Sequence, residues 1–324
     1  MNFKVIGAGF AGVEAAWQIA QSGNKVTLYE QKPNKKSPAH KSDNFAELVC
    51  SNSLKASRID SAAGLLKEEM QRFGSLTVPI AKQCSVAAGG ALAVDRDLFS
   101  GAVTEKIKNC KNIEIVYAEQ DEIPLASNDI TVVATGPLTD GKMAESIKKL
   151  CGDYLSFYDA AAPIVTADSI DPNIVFGASR YGRGGENDYL NCPFNKAEYE
   201  AFIAELVAAE GAVLHDFDVY EGCMPIEKLA KRGLDAPRFG PMKPVGLVNP
   251  ATGHRPWAPV QLRRENSAGT MFNLVGFQTN LKFGEQKRVF SMIPGLENAE
   301  FVRYGVMHRN SFLNSPRLLT ATFA

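Results

Sequence analysis

The sequence predicts an α/β protein: a Rossmann-like dinucleotide-binding domain that carries an inserted α/β domain. Three observations predict it. The chain opens with a short apolar run, Asn2-Phe-Lys-Val-Ile6, that enters Gly7-Ala-Gly-Phe-Ala-Gly12 without a break. An acid, Glu30, closes a second apolar run, Lys25 to Tyr29. After residue 180 the chain changes character, and from Glu221 onward Pro and Gly recur every few residues. The expected division is residues 1–180 for the dinucleotide-binding domain, 181–300 for the insertion and 301–324 for a return to the first domain.

The first unit reads strand, glycine turn, helix, strand, acid. Val13 to Gln21 reads as the helix, with Ala15, Ala16 and Ala20 small enough for close packing, and Gly23-Asn24 ends it. Gly7 permits the tight turn out of the strand. Gly9 lets backbone approach a pyrophosphate, and Gly12 lets the helix pack closely. The helix start offers free N–H groups and partial positive charge to phosphates. Glu30 is placed to accept hydrogen bonds from ribose hydroxyls. The candidate binding residues here are Gly7, Ala8, Gly9, Phe10, Ala11, Gly12 and Glu30.

Residues 33–44 are polar and read as a loop. Leu66, Met70 and Phe73 share one face of a helix over Gly64 to Phe73. Phe99, Val103 and Ile107 share one face of the next. Asp129 to Thr135 reads as a buried strand ending at Gly136-Pro137. Asn195 and Glu198 fit a capping box, and Tyr199, Phe202, Ile203, Leu206 and Val207 continue that helix's apolar face.

Composition excludes several classes. The 324 residues are 45% hydrophobic and 22% charged, enough for a large core and two lobes. The net charge of -1 excludes a chain that is basic overall. Charge is nevertheless uneven: residues 221–310 hold thirteen Lys and Arg against seven Asp and Glu, a net of +6 that leaves -7 elsewhere. A basic second lobe beside an acidic first one suits RNA. No apolar run approaches the length of a membrane span, and no signal peptide is legible, so a cytoplasmic protein is expected. Six cysteines (Cys50, Cys84, Cys110, Cys151, Cys192 and Cys223) lack CxxC spacing. This argues against a disulfide framework and against a metal site.

Beyond the glycine turn, Ala134-Thr135-Gly136 resembles a second flavin-contact segment of two-dinucleotide-type flavoproteins, and Asp95 and Arg96, opening the helix of Phe99, resemble a feature of the same group. Longer segments resemble the folate- and FAD-dependent tRNA (uracil-5-)-methyltransferases. They are Pro38-Ala-His, Phe45 to Leu54, Gly89 to Arg96, Ala134 to Thr139, Phe157 to Val165 and Glu221 to Glu227. Arg238 to Leu247, Gly276 to Thr279 and Tyr304 to Asn310 complete the set. They run in order across nearly the whole chain. The resemblance implies FAD on the glycine turn, with Thr135 and Gly136 as further contacts. It also implies methylenetetrahydrofolate and NAD(P)H as co-substrates and tRNA as the partner, with no obligate protein partner. Two departures stand out. The family continues beyond a segment like Asn314 to Leu319, with a glycine-rich stretch that closes over the flavin, and it more often has an arginine near Gln31-Lys32.

Carbon 5 of uracil is a poor nucleophile. A thiolate added at carbon 6 makes it an enolate carbon that can attack a methylene, so a cysteine with an available thiolate is required. The resemblance points to Cys223 and Cys50 as catalytic. Gly222 and Pro225 suggest a rigid exposed loop for Cys223, the expected nucleophile. Cys50 is expected beside the flavin, protecting or assisting the methylene. Cys192, in Asn191-Cys-Pro, is a weaker candidate, and Cys84, Cys110 and Cys151 have no supporting context. Expected phosphate contacts are Arg232, Arg238, Lys243, Arg255, Arg263, Arg264, Lys287 and Arg288, while His308 and Arg309 are candidates for folate or base. Two alternatives stay open: the same chemistry on ribosomal RNA, and an inactive FAD- and RNA-binding remnant.

Overall fold

The computed structural model describes residues 2–37, 39–124, 129–152, 155–185, 187–212 and 221–322. Pro38, which begins one of the family-like segments, lies outside them. The first half runs β1 (Phe3–Ile6), α1 (Phe10–Gln21), β2 (Val26–Glu30), β3 (Ser53–Ala56), α2 (Ala62–Arg72), α3 (Thr77–Gln83), β4 (Ser85–Val86), β5 (Ala91–Val94), α4 (Arg96–Lys108), β6 (Ile113–Tyr117), β7 (Ile130–Val133) and α5 (Gly141–Cys151). The second half runs β8 (Leu155–Ala160), β9 (Ile164–Thr166), β10 (Phe176–Gly177), β11 (Tyr189–Phe194), α6 (Lys196–Ala208), α7 (Ile226–Lys231), α8 (Ala236–Phe239), β12 (Ala258–Arg264), β13 (Met271–Leu274), α9 (Phe283–Phe290), β14 (Phe301–Arg303), β15 (Met307–Phe312) and α10 (Ser315–Leu318).

Four parallel strands in the order β6-β2-β1-β7 form the first sheet. Its core is the predicted one. Val5 and Leu28 pack under Val13, Ala16 and Ala20 of α1 and under Phe99, Val103 and Ile107 of α4. Phe10 and Phe99 stack with ring centroids 5.4 Å apart. Each large apolar side chain buried here contributes about 1.5–3 kcal/mol. Asp95 caps α4 by accepting from Leu98 N and also accepts from Ser267 N and Oγ, which lie beyond β12.

The second sheet has six strands in the order β10-β11-β12-β13-β9-β14, with every described pairing antiparallel. Its core joins Phe194, Val260 and Leu274 to Tyr199, Phe202, Ile203 and Leu206 of α6 and to Val289 and Phe290 of α9. The expected capping box of Asn195 and Glu198 starts α6. A three-stranded sheet, β3-β5-β4, and a two-stranded ribbon of β8 and β15 complete the sheet structure among the described residues. The expected boundaries lay at 180/181 and 300/301. The six-stranded sheet takes β9 and β10 from before the first position and β14 from after the second.

Two local expectations differ. The strand at 129–135, expected to be buried, is an edge strand among the described residues, with Ile130 and Val133 exposed. The face of Leu66 and Phe73 is also exposed, at 56% and 82%. Helix α2 instead approaches the chain through its backbone at Gly64, where an added Cβ would stand 1.7 Å from Arg58 O. Among the described residues no helix is long and apolar enough to cross a membrane, and no group of His, Cys, Asp and Glu is arranged for a metal.

Candidate active site

A cavity of about 610 Å³ opens at the C-terminal ends of β1 and β2, the edge where α/β sheets receive nucleotides. The glycine turn floors it. Gly7 has φ +100°, and a Cβ there would stand 2.5 Å from Ala134 O. A Cβ on Gly12 would stand 1.7 Å from Gly7 O, so Gly12 permits the helix to close on the turn itself. A Cβ on Gly9 would meet nothing within 4 Å: the residue lines the cavity, and the space beside it is open. Helix α1 begins at Phe10 with Gly9 as its cap, with no side chain capping it and no acid in its first turn. Its N–H groups therefore remain available to an anion.

Glu30 is buried and accepts from Ala8 N and Lys32 N, both at 2.9 Å. One carboxylate thus ties the glycine turn to the end of β2. Thr135 and Gly136 line the far side, where Thr139 Oγ1 lies 2.7 Å from both Thr135 Oγ1 and Gly136 O. Lys35 reaches Glu119 at 2.6 Å and Asp140 at 3.2 Å, joining two stretches of the rim.

Cys50 lines the cavity, and its Sγ lies 3.7 Å from Ala160 O. The neighbouring Asn52 fixes this segment. Asn52 is fully buried, donates to Val94 O and Arg264 O, and accepts from Arg263 Nε. Burial, and then the Asp159 carboxylate, push the Cys50 thiol up to about 11, against the opposing pull of Arg96 and Arg303. Cys223 ends a 3-10 turn, Glu221–Cys223, and is half-buried. Burial, and then a hydrogen bond to Asp159, push its thiol up to about 12. Cys223 does not line the cavity wall; Asp159, which does, stands next to it. Both cysteines are therefore thiols at neutral pH, and the available thiolate expected of Cys223 is not its resting state. Cys192 is fully buried in the second core and is a packing residue.

The sequence did not single out Asp159. It lies in register opposite His308 across the β8–β15 ribbon, and His308 and Asn310 line the same cavity. Burial holds His308 below its usual range, so it is largely neutral at pH 7. The only available signal was Asp159's place inside the family-like segment Phe157 to Val165. The expected phosphate contacts divide. Arg263 is 6% exposed and bonded to Asn52 and Ser51, so it is a buried clasp and no phosphate contact. Arg238 lies over Trp257 at 3.8 Å and binds its carbonyl. Arg288 is paired with Glu205 and Glu285. Lys243, Arg255 and Lys287 are exposed.

The family model described as "Glucose inhibited division protein A" matches residues 2–324. The chain is 61% identical over 324 residues to methylenetetrahydrofolate--tRNA-(uracil-5-)-methyltransferase TrmFO of Acetivibrio thermocellus, covering 99% of this chain and 74% of that protein. It is 57% identical over 326 residues to the protein of the same name from Lactobacillus helveticus, covering 99% and 79%. The solved structure of Aquifex aeolicus GidA in its form II crystal superposes with a TM-score of 0.69 at 14% identity, a likeness of fold. The match covers 98% of this chain, which spans 56% of that one. The chain belongs to the GidA family and, within it, to the group of the methylenetetrahydrofolate--tRNA-(uracil-5-)-methyltransferases TrmFO.

Proposed function

We propose that the chain transfers a one-carbon unit from 5,10-methylenetetrahydrofolate to carbon 5 of a uracil in tRNA, using FAD and NAD(P)H, to give 5-methyluridine. One observation carries the reading beyond family membership. Cys50, from the glycine-turn side, and Cys223, from beside the second sheet, both face Asp159 at one end of the dinucleotide cavity. The cavity suits FAD: Gly9 leaves room for a pyrophosphate that a side chain would take up, and α1 offers free N–H groups beside it. FAD held there would supply the redox and one-carbon chemistry.

The residues of the chain do the rest. Gly7 to Gly12, Glu30, Thr135 and Gly136 hold the dinucleotide. Cys223 adds to carbon 6 of the uracil, and Cys50 assists beside the flavin. The base must leave its stack to arrive there, at a cost of roughly a few kcal/mol. Exposed Lys243, Arg255 and Lys287 contact tRNA phosphates. The protein works in the cytoplasm, where its RNA is. The second lobe extends from about β9 to β14, the span of the six-stranded sheet. The relatives' name specifies tRNA, which favours tRNA over ribosomal RNA. The test is mass spectrometry of digested RNA after incubation with FAD, methylenetetrahydrofolate and NADPH. New 5-methyluridine in tRNA supports the reading. Its absence there, or its appearance in ribosomal RNA only, contradicts it.

A further inference from the structure

The site converges on Asp159. Its Oδ2 lies 3.5 Å from Asn310 Nδ2, which donates to it, and 3.9 Å from His308 Nε2. Its Oδ1 is buried and receives no conventional N–H or O–H donor. A buried carboxylate oxygen without such a donor is rare in folded proteins and calls for an explanation. Two backbone hydrogen bonds bring the Cys223 turn to this carboxyl group. Thr279 N donates to Ala161 O at 3.4 Å, joining the loop after β13 to the end of β8. Ile226 N, three residues past Cys223, donates to Gln278 O of that loop at 2.8 Å. Cys50 Sγ lies 3.7 Å from Ala160 O, one residue from Asp159. The carboxyl group thus neighbours two thiols from distant parts of the chain, and it also lines the cavity.

We propose that Asp159 is the general base of this site, taking the proton of the Cys223 thiol as Sγ attacks the uracil. The inference rests on the uracil-methylating reading above. The step balances without another reagent. The S–H bond breaks and its proton goes to an Asp159 oxygen. A bond forms from Sγ to carbon 6, and the C5=C6 electron pair moves toward carbon 5 and O4 as the enolate. The negative charge passes from the carboxylate to the pyrimidine, whose enolate carbon is then the nucleophile.

The surroundings agree. Burial, and then the hydrogen bond to Asp159, hold the proton on the Cys223 thiol at rest. A base can act only from that state. The titratable and charged groups that face the pair are Cys50, His308 and Lys55, with Arg96 and Arg303 acting on Cys50. Burial and Arg303 oppose protonation of His308.

The test uses the full chain with Asp159→Asn and Asp159→Glu. Two quantities are read: the pH profile of Cys223 alkylation by iodoacetamide, resolved by peptide mass spectrometry, and single-turnover 5-methyluridine formation with FAD bound. Removing the charge lets the thiol ionise at lower pH, so Asp159→Asn alkylates faster than wild type near neutrality. If Asp159 is the base, the same variant nevertheless loses methyl transfer by about 100-fold or more, and Asp159→Glu recovers part of it. A residue that merely raised the thiol's pKa would give faster alkylation and faster transfer together. Transfer by Asp159→Asn within about threefold of wild type, or alkylation no faster than wild type, overturns the proposal. Should Asp159→Asn fail to hold FAD, Asp159→Glu decides: the proposal requires a displaced pH–rate profile for transfer, and an unchanged profile overturns it. If wild type itself makes no 5-methyluridine, the reading above has failed. The alkylation profiles, which need neither FAD nor RNA, then still decide whether Asp159 governs the Cys223 proton.

Discussion

Arg96 Nε lies 2.7 Å from Glu265 Oε2, an ion pair that joins the first residue of α4 to the residue after β12. The same guanidinium donates to Leu48 O and Cys50 O, so it also positions the cysteine segment. The Glu265 side chain is 3% exposed, and its Oε1 already lacks a partner. Arg96→Ala therefore strands a buried carboxylate and is expected to destabilise the chain by about 3–5 kcal/mol. Urea denaturation measures this; a loss below about 1 kcal/mol contradicts the account.

The glycines separate folding from binding. Gly12→Ala places a Cβ against Gly7 O, which neither backbone can evade, so both folding and FAD affinity fall. Gly9→Ala adds its methyl to open space, so the thermal midpoint stays within a few degrees. FAD affinity nevertheless drops about tenfold or more, because the methyl stands where a pyrophosphate must approach. Flavin titration and thermal denaturation read the two effects. Equal behaviour of the two variants contradicts the assignment.

Both site thiols bear on alkaline stability. Each ionises later in the folded chain than in the unfolded one, where the ordinary value is 9.0. Their contribution is complete below pH 9.0, and it is lost as pH rises through about 11 for Cys50 and about 12 for Cys223. Urea midpoints compared at about pH 8 and about pH 10.5 are expected to fall further for wild type than for the Cys50→Ser, Cys223→Ser double variant. Parallel falls rule out the raised values.

The basic residues should divide in solution as they do in the fold. Lys243→Ala is expected to weaken tRNA binding and to lower the slope of log affinity against log salt by about 1. Arg263→Ala is expected to leave that slope unchanged and to destabilise the chain, since it removes the donor to Asn52 Oδ1 in a buried cluster. Reversed outcomes would place the RNA on a different face.

Features set by short stretches of chain were legible in the sequence. The glycine turn, the packing of Phe99, Val103 and Ile107, and the capping box at Asn195 are fixed by spacing and backbone sterics within a few residues. Features set by long-range register were not. Asp159 meets Asn310 across 151 positions, and Arg263 meets Asn52 across 211, so no local pattern marks either. The apolar stripe of α2 misled for a related reason. Periodicity shows that a face exists, and only the close approach at Gly64 decides which surface of the helix meets the protein.

The central claim is that a flavin cleft and the Cys223 thiol act on one uracil. Methylation of unmodified tRNA by FAD-loaded Cys223→Ala, assayed beside wild type, tests it most directly. The account predicts an unchanged flavin absorption spectrum and no 5-methyluridine. Wild-type yields of 5-methyluridine from the variant would contradict it.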